Sequence, residues 1–258
     1  FAPGRVEIMA GRGSFTEAFD LFGYNIENYD DLFIEKLLML LEIDKHEILD
    51  WKGGKFTPKV DHKGIYPRTQ KPIPISVASG GSINSTIRTA ELGLPIVYAI
   101  IGGNPLDFKP MITLYREVAK KAGHDLSKMP VSAHSWGWLN QDKDRAIKEY
   151  FYPTKLLVDQ ISKERPHWTG MTYDQYLESI GENGAIFVGD SKTVANKIIK
   201  VMEELGLNRF YLHLPIASMP HEEVMNAIKI YGEEVVPKVK EHFKKKEDKK
   251  RLNVKWKD

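Results

Sequence analysis

The sequence predicts an α/β protein built on a parallel sheet with helical crossovers. Three features point there. Short apolar, β-capable runs alternate with longer stretches of helical spacing along most of the chain. Clusters of glycine, serine and asparagine punctuate the joints between them. Of the 258 residues, 42% are apolar, enough to bury a sizeable core. A helix between two strands carries the chain back to start the next strand in the same direction, so alternation implies parallel pairing.

Arg5–Met9 is short, apolar and β-capable, and Gly11-Arg12-Gly13-Ser14 breaks it. Tyr29–Leu49 carries Leu32, Phe33, Leu37, Leu40, Leu41 and Ile48 at helix spacing. Asp50–Arg68 reads as a loop, with Gly53, Gly54, Pro58, Gly64 and Pro67. Ile73–Ala78 is a strand candidate whose start is weakened by Pro72 and Pro74. Ser79-Gly80-Gly81-Ser82 follows, and Ile83–Leu92 reads as a helix ended by Gly93.

Ile96–Ile101 is continuously apolar, as expected of a buried strand. Phe108–Ala122 is a helix closed by Gly123, and Val131–Leu139 is a strand. Asp142–Val158 is helical, with Pro153 expected to kink or split it. Thr169–Gly184 holds a short helix. Ile186–Val188 leads into Gly189-Asp190-Ser191, and Lys192–Leu205 is an amphipathic helix capped by Asp190 or Ser191. Arg209–Leu214 is a strand and His221–Phe243 the last long helix. From Lys244 the chain is charge-rich and reads as a solvated, partly disordered tail. Counting the long ones, these pieces make five strand–helix units. A doubly wound sheet closes with five strands; a (β/α)8 barrel requires about three more units ahead of Phe1. Phe1 replaces an initiator Met and Phe1–Gly4 is no signal peptide, so the chain reads as starting mid-protein.

A net charge of +2 argues against a nucleic-acid binder driven by overall basicity. No apolar run reaches the length of about 18 residues expected of a membrane span. The absence of Cys removes disulfides, Cys-ligated zinc, iron–sulfur clusters and thiol nucleophiles, and fits a reducing cytoplasm. No His pair has metal-binding spacing, so no metal is expected.

Two segments are candidate anion binders. In Ser79-Gly80-Gly81-Ser82-Ile83-Asn84-Ser85-Thr86, glycines let a ligand approach the backbone, and a helix start offers unpaired N–H groups and partial positive charge. Ser82 and Ser85 are three positions apart, a spacing that lets both reach one phosphate. The same residues equally suit a plain helix cap, and neither a Walker nor a dinucleotide fingerprint is present. Arg12, between Gly11 and Gly13, offers a planar fork of donors to phosphate, or is a surface Arg in a turn. His134 is the best titratable candidate. Strand alternation groups it with Ser132, Trp136 and Trp138, where it either shuttles a proton or fills core. His213, on another strand, is a second residue of that kind. Trp136 and Trp138 either wall a planar ligand or pack the interior.

From Gly4-Arg5-Val6 to Gly11-Arg12-Gly13-Ser14, the chain resembles the bacterial luciferase-like, flavin-dependent monooxygenase family. The resemblance continues through Ile75–Pro95, in Gly184–Gly206, and in Pro220-His221-Glu222-Glu223 with the helix through Val236-Pro237. It implies a (β/α)8 TIM barrel, of which this chain covers about the last five units. Residues 1–243 would be the C-terminal part of one barrel domain and residues 244–258 a charged tail. It further implies an enzyme that uses reduced FMN and O2 to oxidise a small organic substrate, fed by a flavin reductase and working as a homodimer. Arg12, Gly81, Ser82 and Ser85 would hold the FMN phosphate, Val97 would pack near the flavin ring, and His134 would line the active site. A deazaflavin in place of FMN, a flavin binder without turnover, and a non-redox phosphate-binding barrel enzyme are the alternatives. Specificity is expected in Asp50–Gln70 and Tyr150–Thr172, with Tyr152, Trp168 and Tyr173 as contacts. Gly11 stands where luciferase has a reactive Cys, so light emission is not implied. Five units alone would leave sheet edges bare.

Overall fold

A computed structural model of the chain describes residues 4–13, 15–164 and 169–255. It opens with β1 (Ile8–Ala10), α1 (Glu17–Leu21) and α2 (Tyr29–Lys45). Next come β2 (Ile48–Trp51) and β3 (Val60–Gly64), paired antiparallel. The predicted loop Asp50–Arg68 is therefore largely a hairpin. An irregular connection, residues 52–59, joins the two strands and brings its own backbone close: at Gly53 (φ +79°) a Cβ would lie 2.8 Å from the Lys59 amide nitrogen.

The remainder follows the predicted alternation closely. In order come β4 (Ile75–Ser79), α3 (Ile83–Glu91), β5 (Ile96–Ala99), α4 (Lys109–Lys121) and β6 (Val131–Leu139). They are followed by α5 (Lys143–Glu164), α6 (Tyr173–Ile180), β7 (Phe187–Gly189), α7 (Ser191–Leu205), β8 (Arg209–His213), α8 (His221–Ile230) and α9 (Val236–Lys255). Pro153 lies inside α5 without dividing it. Asp190 caps α7, its carboxylate accepting from the Thr193 amide at 2.7 Å. A π-helical turn, Tyr231–Val235, joins α8 to α9. Helix α9 continues through most of the charged tail, to Lys255.

Six strands form one parallel sheet. Its backbone runs β1-β4-β5-β6, with β8 paired to the first part of β6 and β7 to its last three residues. From β4 to β7 each strand pairs with the next in sequence, whereas β8 passes over β7 to pair with β6. The sheet curls strongly. Glu7, just before β1, accepts a hydrogen bond from Arg209 Nη1 of β8 at 2.6 Å, although β4, β5 and β6 lie between them in the sheet. Flat strands about 4.8 Å apart would hold these residues far beyond contact. The architecture is half of a barrel, consistent with the luciferase-like fold expected from the sequence.

The convex face carries the helices. Val77, Ile96, Tyr98, Val131 and Ala133 are 1% exposed or less, the last four packing with Ile112 and Tyr115 of α4. Gly137 is where β7 and β8 both close on β6. A Cβ there would meet the Leu212 side chain and lie 2.5 Å from the Phe187 carbonyl oxygen. Gly137→Val is expected to destabilise the chain by about 3 kcal/mol, read as a lowered thermal midpoint. A midpoint equal to that of the unmodified chain would contradict this packing. Among the described residues no helix is long and apolar enough to cross a membrane.

Candidate functional site

The concave face is built in layers, because aligned residues of parallel neighbours point to the same side. Ala78 stands beside Val97, Val97 beside Ser132, and Ser132 beside Arg209. One layer higher, Ala99 stands beside His134, which pairs with Tyr211. Above them Trp136 pairs with His213. Val97 is 3% exposed, between the small side chains of Ala78 and Ser132. Ala78, Val97 and Ala99 thus make a smooth apolar floor.

Arg12 emerges from the C-terminal end of β1. Continuing the β1–β4 register by two residues sets it alongside Ser79, where the glycine loop begins. The close approach is direct: a Cβ on Gly11 would lie 3.6 Å from that of Ala78. The two anion-binding candidates therefore occupy adjacent strand ends. The Arg12 guanidinium is already engaged. Nη1 donates to Asp30 Oδ1 at 2.5 Å, and the group lies 4.7 Å from the ring centre of Tyr29. The Tyr29 hydroxyl in turn donates to the Gly13 carbonyl at 2.7 Å. Ser14, the last residue of that turn motif, lies outside the described residues.

In the glycine loop, Gly81 has φ +93°, and a Cβ would lie 2.8 Å from the Phe108 ring. Its amide donates to Ser79 Oγ at 3.2 Å. Ser82 caps α3, its Oγ accepting from the Ser85 amide at 3.3 Å. A capping hydroxyl still carries its own proton, so Ser82 keeps a donor. Ser82 is exposed, whereas Ser85 is 2% exposed and its carbonyl accepts from Thr89 Oγ1 at 2.7 Å. In this structure the two hydroxyls do not share one solvent-facing surface.

His134 stands on the concave face with its ring centre 5.5 Å from that of His213, the rings tilted by 46°. Burial, and then the nearby His213, push its pKa down to about 4. Burial also lowers that of His213. Above that pH His134 is a neutral imidazole, with one N–H to donate and one nitrogen to accept. Trp138 is elsewhere. It stacks on Tyr150 at 5.9 Å and donates its indole N–H to Glu149 at 2.9 Å, so it belongs to the core beside α5. Tyr152 is exposed and Tyr173 packs edge-on against Phe151 at 4.9 Å. Trp168 lies outside the described residues. Among the described residues no group of three or more His, Cys, Asp or Glu side chains is placed to hold a metal.

Sequence reasoning missed Asp30, Tyr29 and Arg88. Asp30 sits in the first turn of α2, where an acidic residue reads as ordinary helix-dipole compensation. Arg88 reads as a surface cation in the last turn of α3. No spacing rule connects either with Arg12.

The curled sheet and the rim of strand C-terminal ends define a barrel-type scaffold. The family profile described as luciferase-like monooxygenase matches residues 1–209, and the chain belongs to that family. It is similar to the 5,10-methylenetetrahydromethanopterin reductase of Methanopyrus kandleri, 28% identical over 160 residues. That match takes in 54% of this chain and 43% of the relative, so the chain spans less than half of that curated relative. Among solved structures, a monooxygenase from Streptomyces bottropensis superposes with a TM-score of 0.71 at 19% identity, over 91% of this chain and 69% of that one. The oxygenating constituent of the Pseudomonas putida 3,6-diketocamphane monooxygenase, in complex with FMN, gives 0.65 at 20% identity, over 90% and 71%. The coenzyme F420-dependent tetrahydromethanopterin reductase of M. kandleri gives 0.64 at 19%, over 91% and 74%. At such identities the superpositions speak for the fold.

Proposed function

We propose that the chain belongs to a flavin-dependent oxidoreductase that uses reduced FMN and O2 to oxygenate a small organic substrate. The observation that supports this most is the adjacency of Arg12 and the Gly80–Ser82 loop at the rim, with an apolar floor leading from them to His134. The residues present fit a flavin: an anchor for an anionic tail at one end, small side chains under a flat ring, and a neutral imidazole beyond. Arg12, Gly81 and Ser82 would hold the phosphate end and Val97 would lie under the ring; the buried Ser85 would act only through its amide, which anchors the Ser82 cap. When bound, reduced FMN supplies two electrons, so that one atom of O2 enters the substrate and the other leaves as water. The chain's own tasks are to orient the ring, exclude water and offer the His134 hydrogen bond. A cytoplasmic setting, a flavin reductase as the source of reduced FMN, and a homodimer complete the proposal.

A second reading has its own support. The curated relative is a reductase, and its structural counterpart from the same organism is described as dependent on coenzyme F420, a deazaflavin. Separate titrations with FMN and with that coenzyme, followed by flavin fluorescence, discriminate the two. The monooxygenase reading expects FMN binding, and O2 consumption that requires both a flavin reductase and an organic substrate. Binding of the deazaflavin alone, with hydride transfer and no O2 uptake, would replace it with the second.

A further inference from the structure

Arg88 lies six residues beyond the Ser82 cap, about 9 Å along the helix axis. Long helical side chains run back toward the helix N-terminus. Its guanidinium accordingly returns toward the rim, passing 5.8 Å from the ring centre of Phe33. There Nη2 comes to 3.7 Å from Asp30 Oδ1, the oxygen to which Arg12 donates. Two guanidinium groups, one from the turn after β1 and one from α3, converge on a single carboxylate oxygen. The start of α2 adds its own partial positive charge at the same place.

Exposure separates the three partners. The side chains of Arg12 and Arg88 are 20% and 25% exposed, whereas that of Asp30 is 63% exposed. The cations are held in the wall, and the anion is the member that can leave into water. Among the described ion pairs neither arginine has a second carboxylate. One negative charge therefore faces two positive ones. A phosphate monoester, with close to two charges and three acceptor oxygens, satisfies both forks where a carboxylate satisfies one.

We propose that Arg12 and Arg88 together form a two-guanidinium seat for a phosphate monoester, and that Asp30 is its internal occupant, displaced when the ligand arrives. The proposal rests on the reading of Arg12 as the anchor of the cofactor phosphate. It adds Arg88 as a second ligand and Asp30 as a competitor built into the chain. Asp30 thereby keeps the two like charges from repelling each other in the empty protein, and it withdraws without breaking the fold because it stands at the surface.

The test measures inorganic phosphate binding from the thermal midpoint, at ionic strength matched with sodium chloride. The full chain is compared with Arg12→Ala, Asp30→Asn, Arg88→Gln and Arg88→Lys. FMN and riboflavin, which differ only in the phosphate, are titrated beside it. Phosphate is expected to bind Asp30→Asn about fivefold more tightly than the unmodified chain, and Arg88→Gln about tenfold more weakly. Arg88→Lys falls between them and serves if the glutamine variant does not fold. Phosphate affinity unaltered in both Arg88 variants, or no tighter in Asp30→Asn, overturns the seat, as does a chain that phosphate does not protect. If the phosphate pattern holds while FMN shows no preference over riboflavin, the seat stands and the flavin assignment falls. If FMN affinity depends on Arg12 and not on Arg88, the flavin assignment stands and the seat falls.

Discussion

Replacing Arg12 with alanine is expected to weaken FMN binding by on the order of 2–3 kcal/mol, the worth of a charge-assisted hydrogen bond in a partly enclosed site. That corresponds to a dissociation constant raised about thirtyfold to 150-fold. Much of the ordering that binding requires is already present. The guanidinium leans on Tyr29, and Tyr29 is tied to the backbone of the same turn at Gly13. A preordered donor loses little freedom when a ligand arrives, but Arg12 must exchange its Asp30 contact for the phosphate, which sets the effect at the lower end of this range. Riboflavin should be almost indifferent to the substitution, since it lacks the phosphate. An FMN titration of Arg12→Ala that matches the unmodified chain would remove the anchor from the proposed site.

The second large effect concerns acid stability. His134 has its pKa lowered from 6.5 to about 4 by burial and by His213. Between these values the unfolded chain holds a proton that the folded chain refuses, so stability rises with pH across this window. The contribution is complete above about pH 6.5 and is lost as pH falls toward 4. Its size is about 2 kcal/mol, allowing for the partial access of water to the ring. His134→Gln, which keeps a hydrogen-bonding side chain without the titration, should flatten the difference between denaturation curves at pH 7 and pH 4.5. His213 faces the same ring, and one imidazolium disfavours the other; His213→Gln should therefore let His134 protonate at a higher pH. Identical pH profiles for the chain and His134→Gln would show that another group dominates acid unfolding.

Much of the architecture was legible because it is written in local chemistry. Val131–Leu139 was bounded residue for residue, because an apolar run between a proline and a polar turn has few other uses. Asp190 ahead of α7 and Ser82 ahead of α3 announced helix starts through the side-chain preference for capping. The hairpin between α2 and β4 is not legible locally, because its glycines suit a plain loop as well as a connection between paired strands, and only the partner strand distinguishes them. Trp138 was grouped with His134 by alternation, yet its indole is held by Tyr150 and Glu149 of α5. The long strand turns from the barrel interior to the core within its own length, and pattern alone does not record that twist.

The site divides along the same line. Arg12, Ser82 and His134 were singled out as residues, because guanidinium, hydroxyl and imidazole carry their chemistry wherever the chain places them. Lys197 is unmarked in the pattern of its amphipathic helix, yet it is buried and its ammonium ties the Gly181 and Ile186 carbonyls at 2.6 and 2.7 Å. The sequence alone determined the strand–helix order, the caps and the kinds of groups available at the strand ends, all of which depend on neighbours a few residues apart. Only the tertiary structure decided that Arg12, Asp30 and Arg88 meet at one oxygen, that His134 faces His213, and that Glu7 reaches Arg209 across the sheet. Those encounters depend on how sharply the sheet curls and where each helix lies against it, and curvature arises from the packing of the whole chain together.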